Sequence, residues 1–334
     1  MKKILIIHNG DQQYKPFIID SFEKLKNFEI EVIYNYKKKK SFDVISKIFN
    51  KIRLPLDLTK FNDRIIQKHI EFKPSFIIVI KGNNIYPSTL KKIKKIDSKV
   101  KIFSWTADNM FKKHNSSIYF DLSLNLYDIH FTTKSNIVNE LYKLGAKKVV
   151  FLNKAYSKES HYPVSVKDKF KFDVLFIGSA ERQRYNYMQY LANNGIKVNI
   201  FGNMWNKSFK SSENLIIHRK ELINNDYRSA ISSSLITLCF LRKINDDQQT
   251  SRSIEIPACK GFMIAEKTEE HLSLFKNEEE AVFFKNKEEM LELVLFYLGN
   301  DDKREKIRES GYLRVINSNY SYDDMINKMI NSFN

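Results

Sequence analysis

Cysteine is scarce. The 334 residues hold two, Cys239 and Cys259, in apolar surroundings and at no spacing used by metal or dithiol sites. They read as buried thiols of a reducing compartment. No run of about 18 apolar residues occurs, so no segment reads as a membrane-spanning helix. The opening Met1-Lys-Lys-Ile-Leu-Ile-Ile-His8 is basic and then apolar, but its apolar run is too short for a signal peptide, and a cytoplasmic protein is expected. Also missing are a G-x-G-x-x-G fingerprint, a P-loop, a G-x-S-x-G nucleophile elbow, an Asp-x-Asp pair at a strand end and any His/Cys cluster. Neither a metal nor a resident cofactor is therefore expected, and the adjacent Asp246 and Asp247 read as solvated loop. No internal repeat stands out. Acidic residues are the minority, 39 against 56 Lys and Arg, which gives a net charge of +17. That excess favours anionic partners, but no nucleic-acid motif accompanies it. The abundance of Lys, Asn and Ile also suggests compositional bias, so the charge carries little weight alone.

What is present is a globular composition, 43% hydrophobic, with room for two domains that each bury a core. Short apolar runs alternate with amphipathic stretches, the pattern of parallel, doubly wound α/β domains. Residues 3–8 form a first strand, and His8-Asn9-Gly10 follows at its carboxyl end, where ligands bind in open α/β sheets. A helix over 15–26 and a strand over 29–35 come next. Lys37 to Lys40 then open a basic-apolar stretch through Leu58, which reads either as loop and packed helix or as a membrane-surface segment. A strand over 75–80 ends at Lys81, and one over 101–105 runs into Asp108-Asn109, which by itself reads as a helix-capping turn. Strands over 128–133 and 148–152 complete a first domain, 1–155. Residues 156–171 lack periodicity and read as a linker. A second domain spans 172–318, and 319–334 form a closing helix.

The second domain opens with Asp173-Val-Leu-Phe-Ile-Gly178 and a Gly178-Ser179 strand-to-helix turn, where Arg182 or Arg184 can reach a phosphate. The strand Val198-Asn-Ile-Phe ends at Gly202. Trp205, just beyond, either lines a base pocket or packs. The chain is organised around 247–266. There a polar loop meets a short helix capped by Thr250 or Ser251, then Gly261 and a buried strand. A helix amino end after a polar loop cradles phosphate, because free amides and the helix dipole point there. Arg252 suits a diphosphate and Glu255 a ribose diol; the alternative is that the two pair with each other at i,i+3.

The segment Thr250-Ser-Arg-Ser-Ile-Glu-Ile-Pro-Ala-Cys-Lys-Gly-Phe-Met-Ile-Ala-Glu266 resembles the donor-site segment of GT-B glycosyltransferases. It is most similar to the CgeB-like, spore-maturation group, whose usual form is T-x-R-x-F-E-I-P-A-C-G-G-F-L-L-x-E. The similarity runs over roughly residues 170–320, through Asp173–Ser179 and Glu279–Phe284, and is weaker before 150. It implies two Rossmann-like domains facing across a cleft, and sugar transfer from a nucleotide-diphosphate sugar to a glycan or lipid-linked acceptor. A non-catalytic glycan- or nucleotide-binding protein is the alternative. Glu255 takes the position of the ribose-binding carboxylate. Arg252 and Arg182, with amides at Gly178-Ser179 and near Ser251, take the diphosphate, and Gly202 joins this donor side. Asp108 matches an acidic residue of the first domain, where His8, Asn9 and Lys81 form the acceptor side. Retaining members carry Glu-x7-Glu; here Asp247 stands eight residues before Glu255, with Asp in place of Glu. Lys260-Gly261 also replaces the usual double glycine. The resemblance further implies a metal-independent site, while the net charge and the basic 37–58 stretch suggest contact with the anionic inner face of a membrane.

Overall fold

The computed structural model describes residues 1–10, 16–35 and 48–333. The chain divides into two compact units. The first comprises Met1–Asn153, Ile244–Asp246 and Tyr322–Asn334; the second comprises Lys154–Lys243 and Asp247–Ser321.

Six strands build the sheet of the first unit: β1 (Lys2–His8), β2 (Phe28–Tyr34), β3 (Phe76–Ile80), β4 (Lys101–Thr106), β5 (Ile129–Thr132) and β6 (Val149–Phe151). Their order is β2-β1-β3-β4-β5-β6 and every pairing is parallel. Strands covered on both faces must be apolar at consecutive positions, and Ile4, Leu5, Ile6 and Ile7 are all fully buried. Each such side chain contributes about 1.5–3 kcal/mol of transfer free energy. The helices Phe61–Phe72 and Pro87–Ile96 supply crossovers, the second starting on a proline whose missing N–H costs nothing there. The last helix, Tyr322–Asn331, packs on Phe17–Glu23, with Lys24 bonded to Asp323 at 3.2 Å. Phe333 then stacks on Phe103, 4.2 Å between centroids, covering the sheet.

The second unit repeats the plan with β7 (Val174–Ile177), β8 (Val198–Phe201), β9 (Leu215–Ile217), β10 (Ile236–Cys239), β11 (Met263–Glu266) and β12 (Val282–Phe284). Their order is β12-β11-β10-β7-β8-β9, again parallel throughout. One apolar layer gathers Met188, Leu191, Trp205, Phe240 and Phe262; the opposite layer gathers Tyr227, Ile231, Ile254, Met263 and Phe283. Helix Asp301–Ile316 lies on helix Ser251–Ala258. Gly311 on the longer helix lets the chain at Glu280 come close, since a Cβ there would stand 2.3 Å from the Glu280 carbonyl oxygen.

Strand positions agree with the apolar runs, and the doubly wound α/β reading of both halves holds. Residues 156–171 lie inside the second unit, with Tyr156, His161 and Phe170 buried. They lack periodicity because single polar bonds fasten them, such as the Val164 amide to Ser232 Oγ at 3.3 Å. Of the basic stretch 37–58, residues 37–47 lie outside the described residues. Residues 48–51 are helical, and Ile48 and Ile52 are exposed. Among the described residues no helix is long and apolar enough to cross a membrane.

Candidate functional site

Open parallel sheets bind ligands beyond the strand carboxyl ends, where the strand order reverses. In the second unit the chain runs outward from β7 to β8 and β9, then returns to place β10 on the other side of β7. That reversal puts the Gly178-Ser179 turn after β7 and the loop 240–250 after β10 side by side. Both were singled out from sequence.

The β7 turn is tightly built. The Gly178 amide donates to Phe201 O at 2.9 Å, and Trp205 Nε1 donates to Gly178 O at 2.9 Å. Gly202, at φ +139°, faces the same carbonyl, and a Cβ there would sit 2.1 Å from Gly178 O. Both the dihedral and the contact exclude a side chain. Gly202 therefore lets the ends of β7 and β8 approach, and Trp205 is buried in the core. Arg182 opens helix Arg182–Asn193 with its guanidinium 4.8 Å from the Phe209 ring centre and 5.7 Å from that of Tyr185. Arg184 is buried, donates to Ser179 O at 3.0 Å and contacts Glu181 at 3.4 Å. Burial lowers its pKa, opposed by the Glu181 charge. Of the two arginines, Arg184 thus holds the turn in shape.

The loop after β10 is fastened before its helix begins. The Asp247 amide donates to Arg242 O at 3.2 Å, and Asp247 is buried. Gln249 accepts from the Lys154 amide at 2.9 Å and donates to Glu270 at 2.7 Å. Thr268 Oγ1 donates to Gln248 O at 2.6 Å. Thr250 takes the cap position of helix Ser251–Ala258, as expected, and its amide donates to Ser253 Oγ at 3.0 Å. The Ser253 hydroxyl lies 2.7 Å from His271 Nε2, while His271 Nδ1 lies 2.6 Å from Glu266 O. A carbonyl only accepts, so Nδ1 carries the proton and Nε2 accepts from Ser253. Burial lowers the His271 pKa to about 4, so the ring is neutral near pH 7. This clamp gave no sequence signal: Ser253 and His271 are 18 residues apart and lie in unrelated local patterns.

Glu255 follows one turn after Ser251 and is 7% exposed. Tyr227 donates its hydroxyl to Glu255 Oε2 at 2.6 Å, and His161 Nε2 stands 3.8 Å from Oε1. The His161 pKa is lowered, first by burial; Glu255 opposes that shift and the Arg252 charge reinforces it. Arg252 thus acts electrostatically on the same group. Sequence reading placed Ser251, Arg252 and Glu255 together but missed Tyr227 and His161.

The first unit has its own reversal, between β1 and β3. Here His8, Asn9 and Lys81 come together. Asn9 donates to Lys81 O at 3.1 Å and accepts from Asn35 at 3.1 Å. His8 is buried, edge-on to Tyr34 at 5.6 Å, and burial lowers its pKa. Lys81 adopts φ 52° and extends its ammonium to Asp108 Oδ2 at 2.8 Å and Asn115 Oδ1 at 3.4 Å. Asp108 Oδ1 accepts from Asn245 at 3.4 Å, and Asn245 Oδ1 accepts from the Asn109 amide and from Asn115. Asp246 pairs with Lys112 at 2.6 Å. Asn115 and Asn245 are further members that composition and spacing did not reveal. Among the described residues, no three His, Cys, Asp or Glu side chains are grouped to hold a metal ion.

Comparison with known proteins follows this geometry. Residues 182–331 match the family model described as glycosyl transferase-like. No curated protein matches the chain in sequence. Solved structures do match in fold. HepE of Anabaena, crystallised with UDP, superposes with TM-score 0.70 at 11% identity, covering 100% of each chain. Sucrose-phosphate synthase of Thermosynechococcus elongatus gives 0.69 at 11%, covering 99% of each. An alpha-glucosyltransferase bound to UDP-glucose and DNA gives 0.66 at 13%, also covering 99% of each. The chain carries the two-domain α/β fold of GT-B glycosyltransferases, and the part of it from 182 to 331 is similar in sequence to glycosyl transferase-like proteins.

Proposed function

We propose that the protein is a glycosyltransferase that moves a sugar from a nucleotide-diphosphate sugar to a glycan or lipid-linked acceptor. One observation carries this reading. The β7/β10 reversal presents a capped helix amino end, Arg252 and a buried carboxylate, Glu255, within the stretch most similar to glycosyl transferases. The helix dipole and the Arg252 charge at this amino end attract a diphosphate. Glu255 then accepts from the ribose hydroxyls. Protein charge takes the place of a metal, and Arg182 adds to it from the β7 turn.

In the first unit, Asp108 and Lys81 are assigned to the acceptor hydroxyl, with His8 and Asn9 shaping the loop beside them. An ionised Asp108 paired with Lys81 orients a hydroxyl and can take its proton. Asp247 is assigned to the donor sugar. The net charge of +17 suits an anionic or lipid-linked acceptor at a negatively charged membrane face.

The test is calorimetric titration with UDP, GDP, ADP, CDP, dTDP and their sugars, followed by turnover assays with and without EDTA. One nucleotide should bind, Glu255→Ala should weaken it at least about tenfold through loss of charge-assisted hydrogen bonds, and turnover should survive EDTA. The departures Asp247 and Lys260 favour one competing reading, a non-catalytic nucleotide binder; binding without turnover on any sugar donor would select it. No binding at all would overturn both.

A further inference from the structure

Tyr227 and His161 have no place in the function as stated so far, yet both face its central carboxylate. Tyr227, on helix Asn224–Ser233, and His161, from the aperiodic stretch after the first unit, are 8% and 6% exposed. Their rings meet edge to face at 5.8 Å. A core needs neither a phenol nor an imidazole, and a carboxylate costs several kcal/mol to bury unless donors meet it. Phenylalanine at 227 would pack in the same volume without a polar atom.

The polar atoms have definite directions. The Ser157 amide donates to His161 Nδ1 at 3.0 Å. Nδ1 is therefore the acceptor nitrogen, and the proton of the neutral ring is on Nε2, facing Glu255 Oε1 across 3.8 Å. That separation is an electrostatic contact, longer than a hydrogen bond. Tyr227 donates at 2.6 Å to the other oxygen. One carboxylate oxygen is thus pinned, the other is faced by a positive ring edge, and lone pairs remain on both for two further donors. A vicinal diol brings two.

We propose that Tyr227 and His161 are positioning residues that fix the Glu255 carboxylate in the orientation that accepts a ribose diol. They thereby make recognition of the donor depend on its two ribose hydroxyls. This rests on the nucleotide-sugar reading above and adds to it the two side chains that hold its ribose-binding carboxylate in place. Neither residue touches the sugar; each acts through Glu255.

The test separates positioning from packing by changing the ligand as well as the protein. UDP and 2′,3′-dideoxy-UDP are titrated into the full-length wild type, Tyr227→Phe and His161→Gln, with another nucleotide and its dideoxy form if UDP is not the one bound. Tyr227→Phe should weaken the ribonucleotide about tenfold, as expected for one hydrogen bond to a charged group. It should change the dideoxy form less than about twofold, because the diol that reads Glu255 is absent. His161→Gln should show the same selectivity with a smaller loss. A general loosening of the fold would weaken both ligands alike, and equal losses overturn the proposal, as does an unchanged affinity for the ribonucleotide. If the wild type binds none of the nucleotides, the transferase reading falls first and this inference with it. Binding by the wild type with equal losses in the variants removes only the positioning role.

Discussion

The loops after β1 and β3 and the loops after β7 and β10 occupy the same topological position in two similar sheets, and they are built by different means. The second unit uses buried, neutral or hydrogen-bonded parts: a helix cap, the Ser253–His271 clamp, two glycines in contact and Tyr227 on Glu255. The first unit sets a half-exposed ion pair, the Lys81 and Asp108 side chains being 43% and 29% exposed, on the buried amides of Asn109, Asn115 and Asn245. A site that meets one constant chemical group gains from rigidity, since ordering its parts in advance lowers the cost of binding. A site that meets a variable group needs donors and acceptors that can rearrange. Donor recognition in the second unit and acceptor recognition in the first would sort in this way.

The comparison can be broken most sharply at Gly202. Gly202→Ala should cost about 4 kcal/mol or prevent folding, because it adds a clash with Gly178 O to a dihedral that favours glycine. Urea denaturation measures it, and a loss below about 1 kcal/mol would mean the two strand ends can separate freely.

Acid compares the two units through the most deeply buried histidine of each, His130 and His271. Burial lowers His130 from 6.5 to about 3 in the first unit and His271 from 6.5 to about 4 in the second. The unfolded chain takes up the proton first as pH falls. Both groups therefore leave stability intact above about pH 6.5 and remove it on the way down, at about 1.4 kcal/mol per pH unit for each histidine. Stability should drop steeply between about pH 6.5 and 4.5, with the lowered His8 and His161 adding to the slope, and His130→Phe should remove about 1.4 kcal/mol per pH unit of it in urea titrations across that window. A flat profile would show that water reaches both rings.

Ser253→Ala should cost about 2 kcal/mol, since it leaves the Thr250 amide and His271 Nε2 without their shared hydroxyl. Lys81→Met should change stability by less than about 1 kcal/mol, because exposed ion pairs contribute little. It should nonetheless lower kcat if Asp108 serves the acceptor. A stability loss at Lys81 matching that at Ser253 would erase the contrast between the two units.

Much of this was legible in the sequence, for reasons tied to particular residues. Strands covered on both faces leave unbroken apolar runs such as Ile4–Ile7, and a helix start leaves a local mark at Thr250-Ser251. Lys81 and Asp108 were found because each follows a strand end. The partners that give these residues their settings were not legible. Tyr227 reaches Glu255 over 28 positions and Asn245 reaches Asn109 over 136, and no periodicity links residues across a crossover. Gly202 could be seen as a strand-ending glycine, but the carbonyl that forbids its side chain belongs to a different strand.

Gln249 carries a consequence for how fast a ligand is captured. Its side-chain amide is held at both ends, by the Lys154 amide and by Glu270, so the polar loop ahead of the Ser251 helix is moored on two sides. A moored loop has no closing step to complete after encounter. Nucleotide arrival should follow one exponential whose rate climbs linearly with concentration, limited by diffusion and charge and showing no plateau from a slower rearrangement. Releasing both moorings, as in Gln249→Ala, would give the loop a motion of its own and put a ceiling on that rate.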